Sequence, residues 1–202
     1  MIRSLVCMCW LGAVLAAQQP QTYIVDAANG PGAQFTDITA AAAAVLDGSI
    51  LRVRPGWYAP VVVDGKGLTI LCDSGVIAGS PTGSTPFLLI RNTQPGQIVA
   101  VSGLVWGGGS GLHVLDAAGP VWIDGRGRPI STGDFRPACV ILRSRQVVVR
   151  AYWMSGEPGC VVEDSVAVFE SCQMNGVNGY PYGKPGGGVM AVSYTHLRAH
   201  ET

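Results

Sequence analysis

Six arginines, Arg126, Arg128, Arg136, Arg143, Arg145 and Arg150, fall within one 25-residue window whose only acid is Asp134. A guanidinium is permanently charged and presents two parallel N–H donors to a carboxylate, so such a cluster reads as a grip for an acidic polymer. Arg126, Arg128, Arg143, Arg145 and Arg150 are the candidate binding residues. The competing reading is that the arginines are dispersed and only solubilise the chain. A second chemistry would use acids: glycoside hydrolysis needs two facing carboxylates, and Glu163, Asp164 and Glu170 form the one acid cluster within a clear repeat. Solvated strand ends are the plainer account of that cluster. His113 lies in the alternating run from Leu112 to Leu115 and reads as structural. The glycine runs Gly107 to Gly111 and Gly186 to Gly188 lack the strand-to-helix context of a phosphate loop. No Asp-rich calcium spacing occurs, so no cofactor and no metal are expected.

The elements that would hold these residues are repetitive. Between Pro137 and Gly176 a shift of 20 residues superposes Val147 on Ala167, Val149 on Phe169, Ala151 on Ser171, Tyr152 on Cys172, Met154 on Met174 and Gly156 on Gly176. The shared pattern alternates with a period of two, which puts its apolar residues on one face of a short strand. One copy cannot bury that face alone, and stacking of successive coils solves the problem. Val99 and Val101 recur as Val121 and Ile123, extending the series toward the N-terminus. Val-, Ile- and Phe-rich strands between Gly-rich corners predict an all-β chain: a right-handed parallel β-helix, or solenoid. Ile130 to Arg136 reads as an inserted loop.

Ahead of the coils, Phe35, Ile38, Ala42, Val45 and Leu46 share one face of a short helix, with Thr36 as N-cap and Asp47 and Gly48 at its end. Such a helix can cover the open end of a solenoid. The segment GPGAQFTDITAAAAAVLDGSILRVRPGWYAPVVV, from Gly30 to Val63, resembles the entry segment of pectinesterases and related β-helix proteins of the pectin-lyase-like class. Phe35, Thr36, Ile38, Val53, Pro55, Gly56, Tyr58 and Val62 carry the resemblance. It implies a fold and, by analogy, a polysaccharide as partner, to be bound or processed; a non-catalytic surface or structural β-helix is the alternative. The catalytic motifs of pectinesterases, of the form FVDFIFG and LGRPW, are absent. GRGRP at Gly125 to Pro129 shares only Gly-Arg-Pro with the second, so whether the chain is an enzyme stays open.

Residues 1–17 combine a basic start at Arg3, an apolar run from Leu5 to Leu15 and small residues at the end, where Val14, Leu15 and Ala16 fit a signal-peptidase site with cleavage after Ala16 or Ala17. The protein is therefore expected to be exported, to the cell envelope or beyond. Among the remaining cysteines, Cys139 and Cys160 lie one coil apart and can meet as a disulfide or stack as buried thiols. With 13 basic and 13 acidic residues the chain is balanced, which implies no general affinity for nucleic acid. No later stretch is long and apolar enough to span a bilayer. VSYTHLRAHET, from Val192 to Thr202, resembles a translated sequencing adapter. The β-helix domain is accordingly expected over residues 18–191, C-terminally truncated, with residues beyond Ala191 packing against little.

Overall fold

Alternation of buried and outward residues, strand after strand, is what the chain needs to wind into coils. The computed structural model describes residues 21–80, 83, 85–132, 136–156, 159–176, 189–192 and 198–200. The proposed signal peptide lies outside them. After β1 (Thr22–Val25) and α1 (Ile38–Ala44), the first coil consists of β2 (Ile50–Val53), β3 (Gly56–Tyr58) and β4 (Val61–Asp64). The second contains β5 (Leu68–Cys72), β6 (Val76–Ala78) and β7 (Leu88–Arg91), and the third β8 (Val99–Ser102), β9 (Val105–Trp106) and β10 (Leu112–Leu115). Next come β11 (Pro120–Ser131) with β12 (Cys139–Leu142), then β13 (Gln146–Gly156) with β14 (Cys160–Glu163). A sixth coil follows with β15 (Ala167–Glu170), β16 (Gln173–Gly176) and β17 (Val189–Val192), and β18 (Arg198–His200) lies beside β15.

The fold is a parallel β-solenoid of about six turns. Sheet 1 runs β1-β2-β5-β8-β11-β13-β15-β18, sheet 2 begins as β3-β6-β9, and sheet 3 runs β4-β7-β10-β12-β14-β17. From β11 onward the strand turns the corner between sheets 1 and 2 without a break, so the C-terminal halves of β11 and β13, with β16, continue sheet 2. The repeat is observed as expected. Val147 pairs with Ala167, Val149 with Phe169, Met154 with Met174 and Gly156 with Gly176, and Val99 and Val101 pair with Val121 and Ile123. Steps between coils are uneven, from 19 residues (Leu51 to Ile70) to 31 (Leu68 to Val99), because turns vary while strands do not. The lumen is filled by the inward positions: Leu51, Ile70, Val101, Ile123, Val149 and Phe169 from sheet 1, with Leu88, Leu112, Cys139 and Cys160 from sheet 3.

α1 closes the N-terminal end by imitating a strand. Thr39 Oγ1 accepts from Val62 N–H at 2.9 Å and donates to the Pro60 carbonyl at 3.0 Å, satisfying backbone groups on the edge of β4. Its N-cap is Asp37 rather than Thr36: Asp37 is extended, and its Oδ1 accepts from Ala40 N–H at 2.7 Å. Lys66 Nζ reaches the Ala43 and Val45 carbonyls at 2.8 and 2.6 Å and satisfies the other end of the helix. Ile38, Ala41, Ala42 and Val45 are buried, whereas Leu46, expected on the same face, lies past the helix and is 42% exposed. The Val25–Phe35 bridge covers the free edge of β1.

Two further expectations differ from the structure. β11 extends through Ser131, so the inserted loop begins later than Ile130. Val192 pairs with Glu163, and Arg198, Ala199 and His200 pair with Val168, Phe169 and Glu170, so these residues beyond Ala191 do not lie apart from the coils. An open strand edge offers unpaired backbone groups that any extended segment can satisfy, whatever its side chains. Among the described residues Cys72, Cys139, Cys160 and Cys172 are free thiols: Cys139 and Cys160 are in register on β12 and β14, both fully buried, in the stacked arrangement. Contact with Cys160, together with burial, pushes the Cys139 thiol well above its ordinary pKa.

Candidate functional site

Of the corners between the three sheets, two are of opposite character, and five of the six arginines in the window are divided between them. At the corner from sheet 3 to sheet 1, each strand ends in one residue of left-handed backbone: Gly65, Asn92, Asp116, Arg143 and Asp164. After the last four of these the next position is a buried small residue, Thr93, Ala117, Ser144 or Ser165. Ser144 Oγ accepts from Ala117 N–H at 3.2 Å, Ser165 Oγ accepts from Ser144 N–H at 2.9 Å, and Thr93 Oγ1 accepts from Gly119 N–H at 3.3 Å. Each hydroxyl thus answers a backbone donor of a neighbouring coil. Two arginine–aspartate pairs form here. Arg143 holds Asp116 through Nε–Oδ1 at 2.6 Å and Nη2–Oδ2 at 2.9 Å, and Arg91 holds Asp64 at 2.8 Å. The hydrogen bond from Arg143 keeps the Asp116 carboxyl below the usual range, and Asn92 and Arg91 do the same for Asp64.

The corner from sheet 1 to sheet 2 is irregular. Three residues of β11, Gly125, Arg126 and Gly127, face the single Ala151 of β13, because Asp124 pairs with Arg150 and the next pair is Arg128 with Tyr152. The cause is Tyr152. Its ring is fully buried and occupies the space where a Gly125 side chain would be, and its hydroxyl donates to the Leu104 carbonyl of the third coil at 3.0 Å. Arg126 and Gly127 take left-handed backbone at φ 52° and 74°, and Arg126 N–H is held by Asp124 Oδ1 at 3.0 Å. Arg126 is exposed at this corner, without an ion-pair partner among the described residues. Arg150 ends the sheet 1 part of β13, and its Nε is 2.8 Å from Glu170. Cys72 lies beneath, buried, with its thiol pushed up to about 12 by desolvation.

Arg126, Arg128 and Arg150 thus share one corner on adjacent coils, whereas Arg143 and Arg145 sit at the other. Arg145 is exposed there, its backbone N–H bound to the Ala117 carbonyl at 3.0 Å. Arg136 donates to the Gly83 carbonyl and belongs to neither corner. Of the acids, Glu170 is taken by Arg150, and Glu163 and Asp164 are exposed at the end of β14. His113 is outward on β10 and half-buried, its Nε2 3.1 Å from the Ser110 carbonyl; burial lowers its pKa.

Sequence reasoning passed over the tryptophans. Trp57, Trp122 and Trp153 are 56%, 58% and 50% exposed. Alternation did carry the signal, since Trp122 stands between inward Val121 and Ile123, and Trp153 between inward Tyr152 and Met154. Trp153 is in register with Pro129, next to Arg128, on the sheet 2 side of the irregular corner. Trp57 lies on the same sheet in the first coil, four coils away, or roughly 19 Å at ~4.8 Å per coil. Among the described residues no group of three His, Cys, Asp or Glu is arranged to hold a metal ion, and no helix is long and apolar enough to cross a membrane. No family model, curated protein or solved structure matches the chain.

Proposed function

We propose that the chain is an exported β-helix protein of the pectin-lyase-like class that binds or processes a polysaccharide, an acidic one, at the corner between sheets 1 and 2. One observation carries the reading: Arg126, a guanidinium without an ion-pair partner among the described residues, shares this corner with Arg128 and the exposed Trp153. An aromatic face accepts the C–H face of a sugar ring, and a guanidinium accepts the carboxylate of a uronic acid, so the pair suits a polyuronate better than a neutral glucan. The rigid coils supply pre-organisation, which lowers the ordering cost of binding. The resemblance between Gly30 and Val63 supports the class, although that segment lies at the cap, far from the corner. The test is affinity electrophoresis in polygalacturonate and in a neutral glucan at rising salt. Retardation specific to polygalacturonate and weakening with salt supports the proposal, and equal, salt-insensitive behaviour in both gels contradicts it.

The outward apolar residues favour the second reading, a structural surface protein. Val62, Leu89, Val140 and Val161 on sheet 3 and Ala100, Val148 and Val168 on sheet 1 lie on outer faces and remain partly exposed. Flat faces of this kind suit packing against neighbours as well as presentation of a ligand.

A further inference from the structure

Strands of parallel sheets are ordinarily covered on both faces. In sheet 1 the inner face covers the lumen, while the outer face carries Leu71, Ile98 and Trp122 at 41%, 57% and 58% exposure. The register arranges this outer face into columns across four neighbouring strands, β2, β5, β8 and β11. One column reads Arg52, Leu71, Ser102, Asp124, and the next reads Ile50, Thr69, Ala100, Trp122. Just before the strands, Gly67 and Ile98 occupy a third, since Leu68 is in register with Val99. Arg52 is exposed, and neither Arg52 nor Asp124 makes an ion pair among the described residues.

These columns are complementary to themselves when reversed. A two-fold axis lying parallel to the strands, between β5 and β8, exchanges β2 with β11 and β5 with β8 while keeping each column opposite its own copy. Arg52 then faces Asp124 of the second molecule, twice over. Leu71 faces Ser102 and Ile98 faces Gly67, large against small, and Trp122 faces Ile50, apolar against apolar. We propose that the outer face of sheet 1 binds a second copy of this chain in that arrangement, an isologous dimer with the two sheets stacked about 10 Å apart. Charge complementarity favours this occupant: the unpaired cation and anion sit at equal distances on either side of the axis, and a copy of the same face offers them in the reversed order. Arg126 and Trp153 lie beyond the face, on or past the corner into sheet 2, so a dimer leaves them accessible and the inference is independent of the polysaccharide reading.

The test is sedimentation equilibrium of the full chain across a concentration series, with circular dichroism of every variant. The wild type is expected to pass from monomer to dimer. Arg52→Asp places two acids face to face and weakens the dimer by about tenfold or more, since like charges meet where opposite ones had been. Asp124→Arg does the same, and combining the two swaps the charges and restores dimerisation. Asp124 also holds Arg126 N–H, so a second, fold-neutral probe is Trp122→Lys at an exposed position, which also weakens the dimer. A wild type that stays monomeric throughout overturns the proposal, as does an Arg52→Asp chain that dimerises like the wild type. A folded charge-swapped double variant that fails to recover overturns it equally.

Discussion

The two corners solve the same problem, turning the chain from one sheet to the next within a few residues, by opposite means. Between sheets 3 and 1, one left-handed residue and one buried Ser, Thr or Ala recur coil after coil, hydroxyls answer backbone donors, and acids face bases. Between sheets 1 and 2, the fourth coil swells by two residues around the Tyr152 ring and pushes Arg126 outward at the one place where a glycine, Gly125, leaves room. Regular stacking satisfies the backbone donors at Ala117, Gly119 and Ser144 and pairs Asp64 and Asp116 with arginines. Departures from it cost stability and create surface that a packed ladder cannot offer.

The contrast is broken most severely at Tyr152. Replacing it with Ala removes the filling of the irregular corner and is expected to cost about 3–5 kcal/mol in denaturant unfolding, whereas Tyr152→Phe loses only the bond to Leu104 and costs about 1 kcal/mol. Gly125→Ala sharpens the point, because its Cβ would enter the Tyr152 ring: it is expected to destabilise the wild type strongly and the Tyr152→Ala chain hardly at all. Additive effects would mean that the ring does not shape the bulge. At the regular corner, Ser144→Ala leaves the buried Ala117 N–H without its partner and should cost about 1–3 kcal/mol.

Much of this was legible in the sequence, and the reasons are local. The 20-residue repeat set the register of β13 against β15 and β16, because identical coils must stack alike. Ala151 and Ser171 fall at equivalent positions and share a left-handed backbone, at φ 51° and 53°. The strands from Val76 to Arg91 escaped notice, since coil steps as long as 31 residues break the period. The division of the arginines between two corners was not legible either. Window counting sees distance along the chain, whereas Arg143 and Arg150 are separated by a whole strand of sheet 1. Asp37 displaced Thr36 as the cap through a one-residue choice that composition leaves open.

Acid should act on the regular corner, as it should on Asp26, which Arg54 holds below its ordinary pKa. Asp64 and Asp116 have folded pKa values below their ordinary one, so their contribution is complete above the usual carboxylate range, about pH 4, and is lost as pH falls through the lower folded values. Arg143→Met is expected to flatten that part of the stability curve, and unchanged acid sensitivity would contradict the role given to the pair. A smaller effect belongs to His113. Its lowered folded pKa means that the unfolded chain takes up a proton first, so stability is complete above about pH 6.5 and declines as pH falls below it; His113→Leu should remove this slope.

The central claim is that the irregular corner binds and the regular one only builds. Polygalacturonate retardation measured side by side for Trp153→Ala, Arg126→Ala and the paired replacement of Arg143 and Arg145 by Ala tests it most directly. The first two are expected to weaken binding by roughly tenfold, about 1.4 kcal/mol, with unfolding midpoints near the wild type's, while the pair at the regular corner keeps wild-type affinity. Loss of binding in the Arg143 and Arg145 chain, with full retention in the Trp153→Ala and Arg126→Ala chains, would contradict the account.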